Sequence, residues 1–253
     1  MPWFILYYKE YRLCQRIFQE KIQSAVKALQ SGNGIIITDD DTRENEGDLI
    51  FACSTLREVQ VAQMIRDCSG IICLVINEEK ANLLNLPLMT SVNKSKNHTN
   101  FTISIEAAEN VTTGVSAKDR LTTILSASKK DASKDDIVSP GHVFPLIAKN
   151  GGVFERQGHT EATLDIIKIA GTGEFGVLCE LTNQDGTMMK GNDIINYSKK
   201  YNMPVISVED IINYRKFIIY NKKGYWKSNS LDCRKNTFFR QSFASLIMLD
   251  AFY

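Results

Sequence analysis

The stretch from residue 34 to residue 53 switches abruptly between apolar and acidic character, and that switch limits what the chain can build there. Gly34-Ile35-Ile36-Ile37-Thr38 reads as a buried strand. The next ten residues, Asp39 to Asp48, carry six carboxylates and one cation, Arg43. Asp48-Leu49-Ile50-Phe51-Ala52-Cys53 then reads as a strand returning from that loop. Six like charges in one turn repel each other, and a hard divalent cation or a polyhydroxylated ligand relieves them by using several carboxylates at once. A calcium hand is excluded by spacing: counted from Asp39, its fifth position is Arg43 and its sixth, where glycine belongs, is Glu44. Arg43 among the carboxylates points to a site for both a cation and an anionic or polyhydroxyl ligand. A solvated acidic turn is the plain alternative.

Helical and extended patterns alternate along most of the chain. An amphipathic helix is expected over 17–30, ended by Gly32, and further helices near 58–66, 78–84, 117–128, 160–170, 193–201 and 209–217. Strands are expected at 71–76, 101–106, 142–148, 176–182 and 205–208. This order predicts an α/β (α+β) fold, a single domain over 17–220 with a mixed sheet flanked by helices. Residues 1–16 and 221–253 read as short terminal extensions, the second of unknown role.

Thirty basic against 29 acidic residues leave a formal charge of +1, which gives no support for a nucleic-acid footprint, and no nucleic-acid partner is expected. No apolar run approaches the ~20 residues of a membrane span, so no membrane partner is expected. The N-terminus has neither the basic start nor the cleavage site of a signal peptide. Six cysteines, at 14, 53, 68, 73, 179 and 233, form no Cys-x-x-Cys pair. They read as free thiols, and the protein as cytoplasmic.

Four further segments carry chemistry. Gly151 to Thr160 runs into a helical pattern, whose first amides collect anions; Thr160 reads as the N-cap, with Arg156 one turn upstream and His159 free to ligate a metal. Glu180, in the apolar strand 176–182, and His142, at the start of another, are candidate proton-transfer groups. Val111 to Arg120 sets hydroxyls and a glycine before a helix, which suits a phosphate or simply a well-capped helix start.

Six blocks in order, Asp39-Asp40 with Arg43 to Asp48, Ser69-Gly70-Ile71, Thr112 to Ala117, Pro140 to Leu146, Gly158 to Ala162 and Cys179 to Asn183, resemble the 3,4-dihydroxy-2-butanone 4-phosphate synthase family across about residues 18–217. The resemblance implies a lyase of riboflavin biosynthesis that converts D-ribulose 5-phosphate to L-3,4-dihydroxy-2-butanone 4-phosphate and formate, with magnesium or manganese and no organic cofactor. It implies Glu44 and His159 as metal ligands and His142 and Glu180 as catalytic residues. Arg43, Glu44, Asp48, Arg156, Gln157, Gly158, His159, Thr160 and Glu180 would contact substrate. It further implies a homodimer, with the 111–120 segment serving the neighbour's site. Many members of the family are fused to a GTP cyclohydrolase, but the stretch after Phe217 is short and has no clustered cysteines, so a single activity is expected. Two positions depart from the family pattern. Thr42 stands where an acidic residue is usual, and Gln157 replaces a small or basic residue in a turn that would strain if it needed positive φ. A pentose phosphate isomerase and a non-catalytic sugar phosphate binder remain alternatives.

Overall fold

Strands β1 (Ile35–Thr38) and β2 (Gly47–Ala52) are apolar at nearly every position because the sheet they join is covered on both faces. In this computed structural model, which describes residues 18–40 and 42–222, they pair antiparallel with Ile37 opposite Asp48 and Ile36 opposite Leu49. Alternate side chains enter opposite layers. Ile35, Ile37, Ile50 and Ala52 pack with Ile22, Ala25 and Leu29 of helix α1 (18–30) and with Ala162, Ile166 and Ile167 of a later helix. Ile36, Leu49 and Phe51 pack on the other side with Val61, Met64, Ile124, Ala127, Ile194 and Tyr197. The result is a three-layer sandwich of helices, sheet and helices.

The remaining elements are α2 (Glu58–Asp67), β3 (Cys73–Ile76), α3 (Glu78–Leu83), β4 (Ile105–Ala107), α4 (Ala117–Ser128), β5 (Ile137–Ile147), α5 (His159–Ala170), β6 (Gly176–Glu180), α6 (Asn192–Tyr201), β7 (Val205–Ser207) and α7 (Val208–Lys222). Among the described residues seven strands form one sheet in the order β4-β5-β3-β6-β2-β1-β7. The pairs β1/β7 and β3/β5 are parallel and the other four antiparallel, so the sheet is mixed, as the sequence predicts. Of the described residues, those from 18 to 214 form one compact unit, and Arg215 begins a second. The expected extensions, 1–16 and 221–253, lie outside the described residues except for the last turn of α7. Cys53, Cys68, Cys73 and Cys179 are buried and free; no described helix is long and apolar enough to cross a membrane.

The structure corrects two strands. Pro140-Gly141 reads as a turn before a strand at 142–148, but β5 starts at Ile137 and runs through both residues. The strand expected at 101–106 shrinks to Ile105–Ala107, because residues 101 and 102 make only isolated bridges, Phe101 with Leu146 and Thr102 with Leu88. Where β4 meets β5 the pairing slips between Ile105 and Glu106, and Gly141 lies against the Ile105 main chain. A Cβ at Gly141 would stand 2.0 Å from the Ile105 carbonyl oxygen, so no side chain fits there. Gly141→Ala must therefore part β5 from β4. We expect a loss of about 1–3 kcal/mol or more in denaturant unfolding, with His142 displaced; unchanged stability would show that the two strands separate easily.

Candidate active site

The register of four strands lines up the chemistry at one end of the sheet. Asp48 on β2 faces Glu180 on β6 directly. Cys73 on β3 lies opposite Leu178 on one side and Phe144 on the other. Before β3 the register slips, so that Glu180 is met by Ser69, whose amide donates to its carbonyl at 2.8 Å, while Cys68 bridges Leu181. Asp48, Glu180 and His142 are each two residues from a side chain of the α5 layer (Ile50, Leu178 and Phe144), so all three project toward α5. Strand β3 lies between the strands that carry His142 and Glu180. They share a face without touching. Glu180 does not sit inside an apolar strand, as its sequence context suggests: it ends β6 partly exposed, with its Oε2 accepting a 2.6 Å hydrogen bond from the Ser69 hydroxyl.

The acidic loop folds around Asp39. Its Oδ2 accepts from Arg43 Nη1 at 2.7 Å and from the Glu44 amide at 3.1 Å, and its Oδ1 from the Glu46 amide at 3.0 Å. Asp40 is held separately by the Thr42 amide and hydroxyl, at 2.8 and 2.5 Å, so the departure at Thr42 touches only Asp40. Glu44 receives Arg43 Nη1 at 2.7 Å on Oε2 and the Asn97 side-chain amide on Oε1, while Lys190 Nζ binds its carbonyl at 3.2 Å. His159, at the start of α5, enters this cluster with its side chain 6% exposed. Its Nδ1 is 3.4 Å from Glu44 and 3.7 Å from Asp48, and its Nε2 4.0 Å from Asp39.

One imidazole serves three carboxylates, and the imbalance shifts their proton affinities. Burial works against a charged His159, but Asp48, Glu44 and Asp39 outweigh it and raise the imidazole to about 9. The hydrogen bond to His159, joined by the Arg43 charge, overcomes burial and lowers Glu44 to about 2. Burial, reinforced by Glu180, Glu44 and Glu46, raises Asp48 to about 7 against the pull of His159. Two buried atoms, His159 Nε2 and Asp48 Oδ1, have no hydrogen-bond partner. Asp39, Glu44 and His159 each offer one ligand atom, all within 4.8 Å of one another. A hard cation fits this donor set and supplies the missing charge. Sequence reading found Glu44 and His159 but did not single out Asp39 from its five acidic neighbours.

A second cationic feature adjoins the first. α5 begins at His159, with Gly158 as N-cap, so Thr160 is not the cap but a buried residue of the first turn. A Cβ on Gly158 would come within 2.4 Å of Arg156 Nη1 and 3.1 Å of Arg43 Nη2. Both guanidiniums thus converge on the helix start, where first-turn amides lack partners within the helix. Arg156 is fixed by Glu161 at 2.6 Å, the Thr99 hydroxyl at 2.8 Å and the Asn97 carbonyl at 3.1 and 3.2 Å. Gln157 is exposed and is not among the residues with positive φ, so the turn does not demand the conformation that its departure put in question. The 111–120 segment is a capped helix start: the amides of Thr112 and Gly114 bind the Asp119 carboxylate, at 3.2 and 3.1 Å, and Ser116 caps α4.

Residues 23–214 match the family model of 3,4-dihydroxy-2-butanone 4-phosphate synthase. The synthase of Desulforamulus reducens is 53% identical over 197 residues, 78% of this chain and 91% of that one. The synthase of Pelobacter propionicus is 54% identical over 196 residues, 78% and 84% of the respective chains. Among solved structures, a 3,4-dihydroxy-2-butanone 4-phosphate synthase in complex with two magnesium ions superposes with a TM-score of 0.74 at 32% identity, covering 80% of this chain and 98% of that one. The Candida albicans synthase gives 0.71 at 38%, covering 76% and 96%.

The cluster fixes a pH dependence. A group raised in the folded state stabilises the fold below its ordinary pKa, and that stability is lost as pH rises through the folded value. The window for His159 runs from 6.5 to about 9, and that for Asp48 from 3.8 to about 7, with the same sign. Chelator-treated protein should therefore lose stability between pH 6 and 9.5, on the order of 3 kcal/mol from His159. His159→Gln should flatten the upper part of this slope in thermal unfolding; a flat parent profile would contradict the charge balance described.

Proposed function

Because the chain belongs to the 3,4-dihydroxy-2-butanone 4-phosphate synthase family, we propose that it is the lyase that converts D-ribulose 5-phosphate to L-3,4-dihydroxy-2-butanone 4-phosphate and formate in riboflavin biosynthesis, in the cytoplasm. The observation that carries this reading is the adjacency of a cation-binding donor set, Asp39, Glu44 and His159, to two arginines at the start of α5. A phosphorylated sugar needs both. The two products together contain every atom of the substrate, so the reaction calls for proton transfers and carbon migration but no electron carrier, in keeping with no organic cofactor.

Glu44 and His159, with Asp39 beside them, would hold magnesium or manganese. Such a cation supplies Lewis acidity that makes the hydrogen beside the sugar carbonyl easier to remove. Arg43, Arg156 and the first-turn amides of α5 bind the phosphate end and fix the carbon chain, with Gln157 and Gly158 lining the approach, so that one migration is favoured over others. Thr160 adds a buried hydroxyl at the same helix start. Asp48 and Glu180 face each other across β2 and β6, within reach of the same sugar hydroxyls, and Ser69 holds the Glu180 carboxylate in place. They and His142 move protons. The exposed apolar residues Ile71, Val115 and Val138 lie on the segments around His142, and Arg120 ties Gly70 to Val115 through their carbonyls at 2.8 and 3.0 Å. This surface supports a homodimer in which a second copy closes the site.

Purified protein should release formate from ribulose 5-phosphate with magnesium and stop when a chelator is added. Glu180→Gln should lower kcat by about 100-fold or more, and Glu44→Gln should remove the response to metal while thermal unfolding stays near the parent value. Isomerised sugar without formate would identify an isomerase, and sugar phosphate binding without turnover a silent binder; either overturns the reading.

A further inference from the structure

His142 has a partner that no sequence pattern announced. Its backbone amide donates to Glu106 Oε2 at 2.8 Å, and its ring Nδ1 lies 3.1 Å from the same oxygen. Glu106 belongs to β4 and its side chain is only 12% exposed, whereas that of His142 is 46% exposed. The other carboxylate oxygen, Glu106 Oε1, is buried with no hydrogen-bond partner. It lies against Gly114, where a Cβ would stand 1.2 Å from it. Gly114 also has φ +81, a conformation only glycine adopts without strain. The 112–116 turn that presses on Glu106 is itself tied down by buried Asp119, which binds the amides of Thr112 and Gly114 and the Thr112 hydroxyl. Asp119 thus fixes Gly114, Gly114 confines Glu106, and Glu106 holds His142.

We propose that Glu106 is the positioning residue for His142, fixing the proton on Nδ1 and leaving Nε2 as the working nitrogen on the α5 face of the sheet. The chemistry follows from the acceptor. An ionised carboxylate offers only lone pairs, so a hydrogen bond to the ring requires N–H at Nδ1, and the second nitrogen is then the basic one. A carboxylate that keeps one oxygen buried and unsatisfied has one use for its charge, the imidazole and amide at the other oxygen. The Gly and Asp of the 111–120 segment thus buttress a neighbouring acid. The role in turnover rests on the reading of His142 as a proton-transfer group; the tautomer claim does not.

The experiment pairs nitrogen-15 NMR of the imidazole with kinetics on Glu106→Gln. The chain has three histidines, His98, His142 and His159, so single substitutions assign the ring signals. In the parent, His142 should show the Nδ1–H, Nε2-lone-pair pattern of a neutral ring. In Glu106→Gln the two tautomers should mix, and kcat for formate release should fall by about 10- to 100-fold, with KM within about threefold, a size typical of groups that orient a working imidazole. If that variant fails to fold, the parent spectrum alone decides the tautomer: the Nε2–H pattern in the parent overturns the proposal. Unchanged ring signals in Glu106→Gln also overturn it, as does unchanged kcat in a protein that makes formate. A parent that makes no formate sinks the lyase reading and, with it, the role in turnover, while the ring signals still decide the tautomer claim.

Discussion

The structure turns on a single buried imidazole. His159 is the meeting point of Asp39 at the end of β1, Glu44 in the loop and Asp48 at the start of β2, three carboxylates delivered by one strand-loop-strand unit. Gathering them is unfavourable, since each loses water and repels the others. The apolar run on either side makes it tolerable: Ile35 to Ile37 and Leu49 to Phe51 are almost fully buried and hold the two strands in one register whatever the loop does. A sheet covered on both faces lends stability to a loop that has little of its own. Protons held by His159 and Asp48, or a divalent cation in their stead, complete the charge balance.

Around that centre the site is built in layers of decreasing sequence locality. Arg43 and Glu44 are neighbours in the chain. Arg156 reaches Glu161 five residues on, but also Asn97 and Thr99 nearly sixty residues back. Asn97 in turn holds Glu44, so the polar loop before β4 links the cation donor set to the arginine pair. A ligand with a sugar hydroxyl pair at one end and a phosphate at the other would engage both. His142 stands apart, on the far side of β3 from Glu180, fixed to β4 and not to the acidic loop. The site therefore divides into a rigid part centred on α5 and a separate imidazole on β5 with its own support.

Much of this was legible in the sequence, for identifiable reasons. The acidic loop and its flanking strands were readable because charge and apolarity change at one boundary, and the α5 start because Gly158-His159-Thr160 precedes a helical period. The donor set was legible only in part, because six carboxylates in one loop look alike until the fold aims Asp39 inward and turns Asp40 toward Thr42. Strand β5 was cut short because Pro140-Gly141 is a turn signal in isolation, overruled here by close packing on Ile105. Partners such as Asn97, Lys190 and Glu106 carried no signal at all: each is separated from its contact by between 36 and 146 residues, and local pattern encodes periodicity and turn chemistry but not who meets whom across a sheet. The 112–119 hydroxyl and amide cluster was ambiguous for the same reason, until Asp119 was seen to occupy its amides.

The central claim is that the carboxylates around His159 form a cation site that a proton occupies in the cation's absence. Calorimetric titration of magnesium into chelator-treated protein near pH 7.5, in two buffers of different ionisation enthalpy, tests it most directly. The account predicts saturable binding that releases close to one proton per ion, because an imidazole raised to about 9 must surrender its proton to become a ligand, and loss of that binding in His159→Gln. Binding without proton release, or binding that survives the loss of His159, would contradict it.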